Sequence, residues 1–224
     1  KNNEYENSLT SKLSLRFSPN DMKDNSSEDR KVDVGNLFEN NRLGLGDSFE
    51  SGRSLTLGID YRKQGLEDIN KYFDIKLATV LRDKEEKFLP KKSTLNRKTS
   101  NLFGSVGTNV TEYLNVNYNF AIDNDLKTFE HNNITTTLSV NNFITKFNFI
   151  EDSGEMGDVN LISNSTRYKI NDSNYMTFNT RRNRRLDLTE YYDLVYQYQN
   201  DCLTAGIKYK KTYYEDRDVQ PTED

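Results

Sequence analysis

Arg181-Arg182-Asn183-Arg184-Arg185 packs four guanidinium groups into five positions, a density suited to phosphate. The formal net charge of −4 argues against a nucleic-acid partner. A strand end and loop facing lipid headgroups or sugar phosphates suits the run better. Glu215-Asp216-Arg217-Asp218 could hold a divalent cation, but its charges are interrupted and its spacing is irregular, so a solvated loop is the simpler reading. Tyr191-Tyr192 and Tyr213-Tyr214 could stack on sugars, and membrane-interface anchoring explains them more cheaply. His131 and Cys202 are the single histidine and the single cysteine. A His/Cys metal site is therefore improbable and an internal disulfide is impossible. No nucleophile can be assigned to His131, which lies beside Asn132 and Asn133. The expectation is a non-enzymatic chain without catalytic, cofactor or metal residues.

Those residues must be positioned by strands. Leu9, Leu13, Leu15 and Phe17 alternate with Thr10, Lys12, Ser14 and Arg16. Leu55, Leu57, Ile59 and Tyr61 alternate with Ser54, Thr56, Gly58 and Asp60. Phe73, Ile75, Leu77 and Leu81 share a face. Leu114, Val116, Tyr118, Phe120 and Ile122 oppose Asn115, Asn117, Asn119 and Ala121. Period two continues to the end of the chain and predicts about eleven strands and no helix. Alanine occurs only at Ala78, Ala121 and Ala205, which also disfavours a helical bundle. The hydrophobic fraction of 33% is low, but aromatic residues make up 12% of the chain and oppose disorder.

Connections alternate as well. Tight polar links fall near Asn109–Glu112, Asn141–Asn142, Asp172–Asn174 and Asn200–Asp201, with a mid-length link at Lys63–Lys71. Longer stretches fall between them, at Ser18–Gly52, Asp83–Lys98, Asp123–Asn132, Glu151–Asp158 and Arg181–Glu190. An outer-membrane barrel has short periplasmic turns and long extracellular loops. The fold class expected is all-β, an antiparallel transmembrane β-barrel in part, with apolar residues facing lipid and a wet polar interior. A soluble β-sandwich alternates too, with its apolar face inward. A generic porin-like barrel is the other alternative. Aromatics near strand ends, such as Phe17, Tyr61, Phe73, Tyr198 and Tyr213, favour the membrane. Cys202 directly follows a tight link and shares the polar side with Thr204, Gly206 and Lys208, which puts it at the periplasmic rim. Disulfides persist in that compartment.

Specific segments resemble the lipopolysaccharide-assembly outer-membrane protein family (LptD). Asn36-Leu37-Phe38-Glu39-Asn40-Asn41-Arg42-Leu43-Gly44-Leu45-Gly46-Asp47 and Glu50-Ser51-Gly52-Arg53-Ser54-Leu55-Thr56-Leu57-Gly58 resemble the family's most specific block. Leu81-Arg82, Pro90, Ser93-Thr94-Leu95 and Ser100-Asn101-Leu102-Phe103-Gly104 resemble the next. Asn179-Thr180-Arg181-Arg182-Asn183, Tyr191-Tyr192-Asp193-Leu194 and Tyr198-Gln199-Asn200-Asp201-Cys202 resemble its closing strands.

The resemblance implies that residues 1–224 are the C-terminal part of a larger barrel in the cell outer membrane of a Gram-negative bacterium, without the N-terminal jellyroll and final strand. It implies non-catalytic insertion of lipopolysaccharide into the outer leaflet. The implied partners are lipopolysaccharide, an LptE-like plug lipoprotein and the periplasmic LPS-transport bridge, with no nucleic acid. It also implies a disulfide between Cys202 and a cysteine upstream of Lys1. The family often has two adjacent cysteines here, whereas Leu203 follows Cys202.

Overall fold

A computed structural model of the chain describes residues 4–46 and 48–213. Its strands are β1 (Tyr5–Ser18), β2 (Gly52–Gly65), β3 (Tyr72–Arg82), β4 (Leu102–Thr111), β5 (Leu114–Ile122) and β6 (Phe129–Val140). They continue as β7 (Phe143–Asp152), β8 (Val159–Asn171), β9 (Asn174–Asn183), β10 (Leu188–Gln199) and β11 (Thr204–Thr212). All eleven form one sheet in chain order. The chain is an all-β antiparallel meander, the partial barrel wall expected from the alternation. The only helices among the described residues are two short 3-10 turns, Lys91–Ser93 and Gly154–Met156. None is long and apolar enough to cross a membrane, which has no bearing on crossing by strands.

The chain divides into two compact units, residues 1–136 with 150–159 and residues 137–149 with 160–224. In the first, the apolar residues of β1 face outward: Leu13, Leu15 and Phe17 are 66%, 77% and 67% exposed. Leu57, Ile59, Phe73 and Leu81 are exposed on the same side. The opposite face, carrying Ser54, Thr56, Ala78, Val80, Arg82, Phe103 and Ala121, is buried. A soluble sandwich would bury the first face instead.

The inner face is dry because loops cover it. Met22, Val32, Leu37, Leu43 and Leu45 come from the connection between β1 and β2. Leu89 and Leu95 come from the connection between β3 and β4, and Met156 from the one between β7 and β8. With Ala78, Val80, Phe103 and Ala121 they form a single hydrophobic cluster. Small residues on the strands make room. A Cβ on Gly58 would lie 2.7 Å from the Phe38 ring, so glycine there lets the loop lie flat on β2. The wet interior expected from the polar strand residues is replaced here by packed loop side chains.

In the second unit the connections are shorter. β9 and β10 run past the expected Arg181–Glu190 loop and leave only residues 184–187 between them. The link at Asn141–Asn142 is a two-residue turn with φ +49° at Asn141, a conformation that asparagine tolerates well. Phe178 pairs with Leu194 and Leu194 with Tyr209, which continues an exposed apolar face. Polar side chains within this unit satisfy one another. Thr145 and Thr166 hydroxyls lie 2.9 Å apart, Asn164 Nδ2 donates to Thr145 Oγ1 at 2.9 Å, and Thr166 Oγ1 donates to Asn164 Oδ1 at 2.9 Å. Internal pairing of this kind suits surroundings that offer no water.

Candidate functional site

The inner face of the first unit is organised around two carboxylates. Glu50 ends the loop before β2 and is buried. Arg42 grips it through one edge of its guanidinium, Nε to Oε2 at 2.8 Å and Nη2 to Oε1 at 2.5 Å. Arg16 of β1 donates from Nη1 to Oε2 at 3.0 Å, and Arg82 of β3 donates from Nη1 to Oε1. Arg42 also donates to Thr56 Oγ1 at 3.0 Å and Ser54 Oγ at 3.2 Å on β2. Three arginines from a loop and two strands therefore converge on one carboxylate. Burial alone would raise the Glu50 pKa, but Arg42, Arg82 and Arg16 outweigh it and hold the carboxyl below its usual range. Gly52, at φ +84°, turns the chain from this cluster into β2. A Cβ there would lie 3.0 Å from Arg82 Nη2.

Asp152 is the second hub, at the end of β7. Lys31 Nζ from the first long loop lies 2.6 Å from Oδ2, and His131 Nδ1 on β6 lies 2.5 Å from Oδ1. Nearby, Asn101 Nδ2 donates to Glu130 Oε2 at 2.6 Å, with both residues buried. The two long loops are also joined to each other. Asn25 N donates to Phe88 O at 2.9 Å, and Ser51 Oγ donates to Glu86 Oε2 at 2.5 Å.

This geometry places His131 differently from the polar link expected for it. It lies within β6, paired with a carboxylate. It shares the Asp152 carboxylate with Lys31, the contact that ties the first long loop to β7. The stretches Ser18–Gly52 and Asp83–Lys98, expected to be extracellular loops, fold back over their own strands, and Asn25 is only 2% exposed. Apolar residues within a connection, at Met22, Val32, Leu37, Leu43 and Leu45, were the available signal for that fold-back.

The arginine run is split. Arg181 and Arg182 lie on β9 and pair with Glu190 and Asp187. Arg184 lies 5.9 Å over the Phe149 ring. Near them Tyr192 packs against Phe178 and Tyr213, with ring centroids 6.2 and 6.0 Å apart. Cys202 is an exposed free thiol within the β10–β11 turn, where β11 was expected to have begun already. Asn200 Oδ1 accepts from the backbone N–H of Cys202 at 3.0 Å and of Leu203 at 2.8 Å, which extends the turn to residue 203. Among the described residues no group of three His, Cys, Asp or Glu side chains could hold a metal ion. Glu215-Asp216-Arg217-Asp218 and Tyr214 lie outside the described residues.

Solved structures of two engineered variants of the Rh. blastica porin are similar over 92% of this chain and 84% of theirs, with TM-score 0.40 and 13% identity. A triple mutant of the Rhodopseudomonas blastica porin gives the same coverage and TM-score at 14% identity. No curated protein sequence matches the chain. A family model described as "LptD: LPS transport system D" matches residues 1–174, well over half the chain. The blocks that resembled this family, from Asn36 to Gly104, fall inside the match, and their Arg42, Glu50, Phe38 and Gly58 are the residues that seat the loop on the inner wall: the chain belongs to the LptD family of the LPS transport system.

Proposed function

We propose that this chain is a wall segment of an outer-membrane barrel that inserts lipopolysaccharide into the outer leaflet without catalysis. The observation supporting this most directly is the inverted burial of β1–β3 in a chain of this family. Leu9, Leu13, Leu15, Phe17, Leu57 and Leu81 are exposed, while Ser54, Thr56, Ala78 and Arg82 are buried under loops. The apolar outer side suits acyl chains, and sugar and phosphate groups suit polar strand residues where no loop covers them. Lipopolysaccharide, an LptE-like plug lipoprotein and the periplasmic bridge are the proposed partners. Cys202, exposed in a turn opposite the loop-bearing rim of its unit, is proposed to pair with a cysteine elsewhere in the full-length protein. Full-length protein co-reconstituted with the bridge in proteoliposomes tests the activity. Lipopolysaccharide delivered to the outer face supports it, and reconstituted barrels that deliver none overturn it. Non-reduced peptide mapping tests the disulfide, and a Cys202 peptide that alkylates fully without reductant refutes it.

A further inference from the structure

The outward face of β1–β3 carries a feature that loop docking does not use. Leu15 pairs with Leu55, and Leu55 pairs with Leu81, so three leucines form a row across three strands. Nearer the loop-bearing rim, Phe17 pairs with Arg53, whose guanidinium lies 5.4 Å over the Phe17 ring. These residues and Asp83 line a groove of about 600 Å³. The leucine row gives it an apolar floor. Arg53 is exposed and has no carboxylate within ion-pair distance among the described residues. The ring beneath Arg53 orients the guanidinium while leaving its N–H edges open, and a guanidinium fork matches phosphate oxygens. Arg181 and Arg182 of β9, by contrast, are already paired with carboxylates of their own unit and offer no such open cation.

We propose that this groove binds an anionic membrane lipid on the outside of the wall, with an acyl chain along Leu15, Leu55 and Leu81 and its phosphate on Arg53. The site rests on the membrane reading above, but the lipid it holds is a resident of the wall and not cargo within the interior. Asp83, at the same end, opposes a second negative charge and moderates the affinity.

The test uses full-length protein with a photo-crosslinking residue at Leu55, reconstituted in vesicles of equal phosphatidylglycerol and phosphatidylcholine. A control carries the same residue at Leu194, on the outward face of β10. At Leu55 the anionic lipid should be captured about fivefold over the zwitterionic one, as a charge-assisted contact predicts. Arg53→Gln should abolish that preference, and Asp83→Asn should raise it. The Leu194 control should show no preference. Equal capture of both lipids at Leu55, or a preference unchanged by Arg53→Gln and by Asp83→Asn, overturns the groove while leaving the membrane reading intact. Capture of no lipid at either position overturns both. Loss of the preference in inorganic phosphate at physiological ionic strength, with added chloride as the control, also overturns the proposal, because the site would then take a soluble anion.

Discussion

The two units share one strand pattern but solve different packing problems. Every buried hydrophobic residue among the described residues, from Met22 to Met156, belongs to the first unit. In the second, Asp193 is the one buried residue among those described, and all of β11 is exposed. Strand chemistry does not explain the contrast, because both units present apolar side chains outward and polar ones inward. Connection length does. Thirty-odd residues between β1 and β2 can fold back and cover a face, whereas four residues between β9 and β10 cannot. A β-wall placed in lipid needs no dry core of its own, so a core arises only where loops supply one.

Breaking the Glu50 cluster should expose that contrast most strongly. Arg42→Ala leaves a buried carboxylate short of its bidentate partner, and loop docking should lose about 3–5 kcal/mol. Hydrogen exchange of the full-length protein should show residues 19–51 losing protection. The corresponding ion pair of the second unit, Lys208 with Asp193 at 2.8 Å, has a lysine side chain 56% exposed. Lys208→Ala removes one contact rather than a bidentate grip, so it should cost less than Arg42→Ala, read from hydrogen exchange of β10 and β11.

Next in size is the outward face. Phe120→Arg should destabilise folding into vesicles by about 2–4 kcal/mol if the residue lies near the bilayer midplane, while Asn119→Arg on the other side of β5 should be tolerated better. Similar costs for both would remove the distinction between the faces. Gly58→Val should cost about 1–3 kcal/mol by driving a side chain into Phe38, and Phe38→Ala in the same chain should recover part of that loss.

The smallest effect is a pH dependence of loop docking in the first unit. The Glu50 pKa is depressed in the folded chain, so its contribution is complete above the unfolded carboxyl pKa of about 4.3 and fades as pH falls through the lower folded value. Protection of residues 19–51 should fall on acidification while that of β9–β10 stays level. Loss at high pH instead would reverse the sign and remove Glu50 as the cause.

Much of this was legible in the sequence. Period-two alternation located the strands, and the tight links at Asn141–Asn142 and Asp172–Asn174 were correctly placed because asparagine and aspartate turns depend on local geometry. Loop fold-back was not legible, since it depends on residues distant in the chain finding each other. Arg16, Arg42 and Arg82 read separately as ordinary polar positions, and only the fold brings them to Glu50. Cys202 was assigned to the correct connection but to the wrong element, because the side chain of Asn200 lengthens the turn.

The Lys31–Asp152 contact has a consequence for the order of assembly. Each strand pairs with its neighbour in the chain, so hairpins can form one after another, and because closure entropy grows slowly with length even the long link between β1 and β2 adds only a modest cost. Lys31 and Asp152 are 121 residues apart, and their contact cannot close until β7 exists. The first long loop is thus made early and seated late. During that interval Met22, Val32, Leu37, Leu43 and Leu45 have no finished surface to meet, which makes this segment the point where a nascent chain most needs protection from aggregation.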